Sequence, residues 1–138
     1  EALSAKGYEM VNHGPVVYDA EDDYPAFCIN AATAVVADQA AGRDALGIVL
    51  GGSGNGEQIA ANKVKGVRAA LAWNLDTARL AREHNNANVV AVGGRQHTVE
   101  EATELIEAFL AEPFSNAERH ERRIGKIATY EATGEVVE

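Results

Sequence analysis

One cysteine and 12 basic residues are few for a chain of 138, and each shortage excludes something. With Cys28 alone no intrachain disulfide can form, which points to a reducing compartment such as the cytoplasm. Lysine and arginine are outnumbered by 21 acidic residues, and the net charge of -9 disfavours a broad electrostatic grip on nucleic acid or an anionic membrane. An anionic small molecule would need a local cluster of arginines. No apolar run approaches the roughly 18 residues of a membrane span. Signal segments, repeats and low-complexity stretches are also missing from view.

What is present reads as one soluble domain, long enough to bury a core. Glu1 to Lys6 read as the last turns of a helix capped by Gly7, so the fold is expected to begin earlier, with a strand and a helix start ahead of Glu1. "YEMVNHG" (8–14) predicts a strand. Glu21, Asp22 and Asp23 then precede a helix from about Pro25 to Gln39; three acids there suit the positive end of the peptide dipole better than a metal site. Within that helix Cys28, flanked by Phe27, Ala31, Ala34 and Val35, reads as a small buried hydrophobe.

From residue 45 the pattern alternates: "ALGIVL" strand, "GEQIAANK" helix, "VRAALAW" strand, "LDTARLAREHN" helix, "NVVAVGG" strand. Short continuous apolar strands between amphipathic helices predict an α/β fold, a doubly wound parallel sheet with helices on both faces. Thr98 with Glu101 forms a capping box opening a helix through Leu110, with Val99, Ala102, Ile106, Phe109 and Leu110 on one face. After Pro113, Ser115 with Glu118 predicts a second capping box and a last helix to about Thr133, stopped by Gly134. Its expected buried stripe is Ala117, Ile124, Ile127 and Ala128, with His120 inside it. Arg119, Arg123 and Tyr130 share the adjoining strip.

The stretch "GIVLGGSGNGEQIAANK" (47–63) carries the chemistry. Strand, glycine turn and helix start make a place where backbone N–H groups meet negative charge. A triphosphate loop needs lysine and a hydroxyl after its last glycine, where Glu57 and Gln58 stand; the dinucleotide fingerprint fits at Gly52 and Gly54 but meets Glu57 at its third glycine. A loop stabilising an oxyanion beside a carboxylate base fits better, although Glu57 taken alone is equally a first-turn helix acid.

"GGSGNGEQIAANK", "LAREHNNANVVAVGGR" and "AERHERRI" together resemble the ribose-5-phosphate isomerase B family, which includes the galactose-6-phosphate isomerase subunits. The resemblance runs along essentially the whole chain. It implies a Rossmann-like fold, no metal or cofactor, and pentose-phosphate chemistry through a cis-enediolate. Gly52, Ser53, Gly54, Asn55 and Gly56 would bind substrate oxygens; Glu57 would be the base moving a proton between C1 and C2. His84 would be the acid that assists ring opening, Asn85 would hold sugar oxygens, and Arg95, Arg119 and Arg123 would receive the phosphate. One branch of the family uses a cysteine base at the position of Gly51, so this sequence resembles the glutamate branch and Cys28 is not catalytic. The family's first strand ends in an Asp-His pair with no equivalent here, since "YEMVNHG" matches the second strand.

Because helices in such a fold run antiparallel to strands, His84 at a helix C-terminus is expected opposite the glycine loop. It would then serve a partner's site, making a homodimer with shared active sites the smallest active unit, with a tetramer also open. His120 is expected to pack or hydrogen-bond, and Arg119 and Arg123 could instead pair with Glu118 or Glu121. Two other functions stay open: isomerisation of a six-carbon sugar phosphate such as allose or galactose 6-phosphate, and a noncatalytic sugar-phosphate-binding module.

Overall fold

Three apolar runs become the strands of one parallel sheet, and the computed structural model describes all residues, 1–138. The strands are β1 (Gly47–Gly51), β2 (Ala69–Leu71) and β3 (Val89–Gly93), in the order β1-β3-β2. Six helices accompany them: α1 (Ala2–Ala5), α2 (Tyr24–Ala40), α3 (Asn55–Ala61), α4 (Leu75–Asn85), α5 (Val99–Ala111) and α6 (Glu118–Thr133). Gly47 lies opposite Val89 and Gly51 opposite Gly93, so β1 and β3 end level with one another.

The chain crosses from β1 to β2 over β3 through α3 and returns to β3 through α4. Right-handed crossovers in opposite senses put those two helices on opposite faces. The packing agrees. Val89 and Ala91 of β3 face a core of Cys28, Ala32 and Val35 from α2 with Ala60 and Ala61 from α3, whereas Val90 and Val92 face Ala78 and Ala81 of α4 with Leu105, Ile106 and Phe109 of α5. Alanine dominates the helix faces, which lets them lie close to the sheet. No helix is long and apolar enough to cross a membrane.

Several expected boundaries need correction. β2 keeps only three residues, and the Asn62 side chain occupies its outer edge, accepting from Ala69 N–H at 2.8 Å and donating to its carbonyl at 2.9 Å. "YEMVNHG" is no strand at all: the segment borders an open groove of about 1790 Å³ along the unpaired edge of β1 without laddering to it. Apolar alternation makes a strand only where a neighbour accepts its hydrogen bonds.

The Thr98 capping box forms reciprocally, at 3.1 and 3.2 Å. On that helix Ile106 and Phe109 are buried, with Ala102 and Leu110 packed beside them as expected, while Leu105 joins the buried face and Val99 is exposed. The second capping box does not form: Ala117 is the N-cap residue of α6, Glu118 pairs with Arg122, and the Ser115 hydroxyl is occupied elsewhere. Nor is the α6 stripe buried. Ala117 and Ile124 are half-buried, Ile127 and Ala128 exposed, and His120 is the buried residue of the helix. α6 rests on the domain against α4 and leaves Ile127 and Tyr130 uncovered.

Candidate functional site

β1 ends at Gly51, and the turn Gly52–Gly54 delivers the chain into α3. Gly54 caps that helix at φ +83°, where a Cβ would meet the Val92 carbonyl carbon at 3.1 Å and Gly93 N at 3.2 Å. Only glycine permits both the left-handed backbone and this approach to β3. A second glycine turn lies alongside: Gly94 N–H donates to the Gly51 carbonyl at 2.6 Å and Arg95 N–H to the Gly52 carbonyl at 3.1 Å. Loops 51–54 and 93–96 thus form one rim at the C-terminal ends of the strands, where open α/β sheets hold their ligands.

Glu57 stands in the first turn of α3 and is 7% exposed. Its carboxylate fills the space a side chain on Gly51 would take. No protein donor reaches the carboxylate oxygens, and neither is sealed from solvent, so they remain acceptors for something arriving at the rim. Behind them Cys28 is buried; that burial, reinforced by the charge of Glu57, pushes its thiol pKa up and keeps it neutral. The Tyr24 hydroxyl lies against Gly56, where a Cβ would collide with it. Arg95 is exposed and lies across Gly52, its Nη1 3.3 Å from where a Cβ would stand. Ser53 Oγ accepts from Asn55 N–H at 3.3 Å.

The other expected residues gather elsewhere. α4 runs antiparallel to the strands, so His84 and Asn85 emerge where β2 and β3 begin. A five-residue strand spans roughly 15 Å, which is the depth of sheet between the glycine rim and this end. Two arginines clamp the helix terminus. Arg68 donates to the Asn85 and Asn86 carbonyls at 2.9 and 2.8 Å, and Arg82 donates to the Ala87 carbonyl and the Asn86 side chain at 2.6 and 3.0 Å. Burial lowers the pKa of both guanidiniums. The His84 ring stacks on His120 with centroids 4.2 Å apart, and Arg119 Nε lies 3.3 Å from His120 Nε2. Arg119 and Arg123 bring two guanidiniums to this end, a pair suited to a phosphate.

Glu57, the Gly52–Gly56 loop and Arg95 therefore meet at one end of the sheet; His84, Asn85, Arg119 and Arg123 meet at the other. Residues 1–127 match the profile of the family described as Ribose/Galactose Isomerase. The chain belongs to the ribose/galactose isomerase family.

Within that family it is 60% identical over 131 residues to ribose-5-phosphate isomerase B of Mycolicibacterium paratuberculosis, a match covering 95% of this chain and 80% of the relative. The Mycobacterium tuberculosis protein of the same name is 59% identical over 135 residues, covering 98% and 81%. Among solved structures, ribose-5-phosphate isomerase B of Mycoplasma genitalium with bound ribulose-5-phosphate superposes with a TM-score of 0.86 at 42% identity, covering 96% of this chain and 84% of that one. The isomerases of this family share the Rossmann-like sheet seen here.

Four residues were not anticipated near these clusters. Arg68 and Arg82 carry no local signal, because their acceptors are carbonyls exposed only when α4 ends. Tyr24 stands just ahead of the expected helix start at Pro25 and carries no signal of its contact with Gly56. Ser115 did carry a signal, but its spacing from Glu118 suggested a cap instead of a partner for His120.

Proposed function

We propose that this chain is an aldose-ketose isomerase interconverting ribose 5-phosphate and ribulose 5-phosphate through a cis-enediolate. The observation that carries the reading is the unpaired Glu57 carboxylate held against Gly51 beside a rim of backbone N–H groups. With the open-chain aldose bound there, Glu57 takes the proton from C2 as the C1–C2 double bond forms and the carbonyl electrons move onto O1. The Gly52–Gly56 loop stabilises that oxyanion. Returning the proton to C1, while the 2-hydroxyl proton passes to O1 and the C2 carbonyl forms, completes the ketose. No net electrons leave the sugar, so an acid, a base and oxyanion donors suffice. His84 supplies the proton to the ring oxygen when the furanose opens, Asn85 holds sugar hydroxyls, and Arg95, Arg119 and Arg123 take the phosphate. The pentose phosphates are favoured because the relatives at about 60% identity bear that activity in their names.

The separation of Glu57 from His84 within one chain gives the reading its quaternary form. A site using both takes its halves from two copies, and a two-fold axis makes two such sites at once. Exposed apolar residues support this: Trp73 is 63% exposed, Ile59 61%, Ile127 57% and Tyr130 58%, and a groove of about 730 Å³ lies between Trp73 and α6. We read α6 as the helix that reaches the partner.

Two assays test the proposal. Ribose 5-phosphate turnover should persist with a chelator present, and Glu57→Gln should lose about 10²–10⁴-fold in kcat while still binding the sugar phosphate. Faster turnover of a six-carbon phosphate would change the substrate assignment, and binding without turnover would leave a sugar-phosphate-binding module. For the shared site, Glu57→Gln and His84→Ala proteins, each impaired alone, should regain activity when mixed and allowed to exchange subunits. Failure of exchanged mixtures to gain activity would place each site within one chain.

A further inference from the structure

His120 is a polar residue on an apolar helix stripe, 5% exposed, and every edge of its ring is engaged. Arg119 Nε, a group that only donates, reaches His120 Nε2 at 3.3 Å, so that nitrogen carries the lone pair. The ring proton then sits on Nδ1 and is donated to Ser115 Oγ at 2.8 Å. Ser115 Oγ also accepts from Ala117 N–H at 3.2 Å, and Ser115 N–H donates to the Glu83 carbonyl at 3.1 Å. One face of the ring lies on His84, the two planes inclined by 34°. The carboxylate of Glu83 stands 3.7 Å from His84 Nε2. Burial first, and then the charges of His84, Arg119 and Arg123, lower the basicity of His120 against an opposing pull from Glu83. A neutral ring is also what the hydrogen bonds require.

We propose that His120 is a positioning residue: locked as its Nδ1–H tautomer between Ser115 and Arg119, it fixes the ring of His84 and aims the Arg119 guanidinium. The last turn of α4 and the first turn of α6 are joined through this one side chain. Loosening it moves an acid and a phosphate-binding group relative to each other, although His120 itself touches no substrate. The inference rests on the roles given to His84 and Arg119 above.

A first test needs no substrate. Nitrogen-15 NMR of the imidazoles should show His120 neutral at pH 7 with its proton on Nδ1; an Nε2–H tautomer or a charged ring overturns the proposal. Second, His120→Phe keeps the stacked ring and deletes both hydrogen bonds, and should lower kcat/KM about 10²-fold, the cost of misplacing reacting groups by about 1 Å. His120→Asn, which can still donate to Ser115, should recover part of that loss. Ser115→Ala guards against a misfolded phenylalanine variant: it should release the tautomer in the NMR spectrum and lower kcat/KM about tenfold, equivalent to one hydrogen bond. Folded variants within about twofold of an active wild type would overturn the positioning role alone. A wild type inactive on every sugar phosphate would overturn the isomerase reading and the positioning role with it, whatever the tautomer.

Discussion

Gly51→Ala is the most informative small change in this molecule. A Cβ on Gly51 falls inside the Glu57 carboxylate, while ordinary van der Waals contact begins at 3.4 Å. The carboxylate must therefore retreat by more than about 1 Å, a displacement that can cost a reaction about 10²-fold. Retreat is hindered, since Glu57 sits in the first turn of a helix whose Ala60 and Ala61 are packed against the sheet. The expected result is a fall in kcat of about 10²-fold, or roughly 2.7 kcal/mol of barrier, with about 1–3 kcal/mol of stability lost to overpacking. Gly52→Ala is the control for stability only, since turnover depends on this loop and on Arg95. Its Cβ meets only the tip of Arg95, at 3.3 Å, and a long flexible side chain gives way readily. In the double variant Gly51→Ala/Glu57→Ala the clash disappears, so stability should recover while turnover stays lost. Ribose 5-phosphate kinetics and urea unfolding on the set decide the matter. A Gly51→Ala enzyme within about twofold of wild type would refute the placement of the base.

The other predictions concern stability and titration. Phe109→Ala removes the largest fully buried side chain and should cost about 3–5 kcal/mol in urea unfolding, with the secondary structure retained. Thr98→Ala removes the hydroxyl that accepts from Glu101 N–H, leaves the bond from the backbone N–H of residue 98 to the Glu101 carboxylate, and should cost about 1 kcal/mol in the same assay. His120 has a lowered folded-state pKa, so the stability it contributes is present above the ordinary imidazole value of 6.5 and is lost as the pH falls below it. His120→Phe should flatten that acid limb in unfolding measured at several pH values. Cys28 has a raised pKa, so its contribution holds below the ordinary thiol value of 9.0 and fades as the pH rises past it; Cys28→Ala should remove that alkaline loss.

Much of the fold was legible because it depends on local chemistry. Continuous apolar runs between turn residues marked β1 and β3, and Thr98 with Glu101 marked the start of α5 through bonds that a few neighbouring residues can make alone. Gly134 stops α6 in the left-handed conformation, at φ +75°, as a glycine after a helix does. The same local logic misled at Ser115, whose spacing from Glu118 imitates a capping box while its hydroxyl answers to His120. It misled again at Tyr8–Gly14, because a ladder needs a neighbour that a single segment cannot specify.

The candidate site was legible in its parts and not in its arrangement. The glycine run and Glu57 stand out as a departure from nucleotide loops, and the opposite placement of His84 follows from helix direction alone. The contact between His84 and His120 joins two helices distant in sequence, so no spacing rule reveals it. The nearness of Glu57 to Gly51 is similarly tertiary: it depends on how tightly the turn folds α3 back over the end of β1.

The central claim is that Glu57 carries a proton between adjacent carbons of a sugar phosphate, and isomerisation in deuterated water tests it most directly. Ribulose 5-phosphate is incubated with the wild-type protein and with Glu57→Gln, and proton NMR follows conversion and the label at C1 and C2. The account predicts conversion for the wild type, with deuterium at the exchanging carbon to the extent that Glu57 trades its proton with solvent before returning it, and neither conversion nor exchange for Glu57→Gln. Wild-type rates of both in the glutamine variant would contradict it, as would a folded wild-type protein that neither converts the sugar nor exchanges its protons.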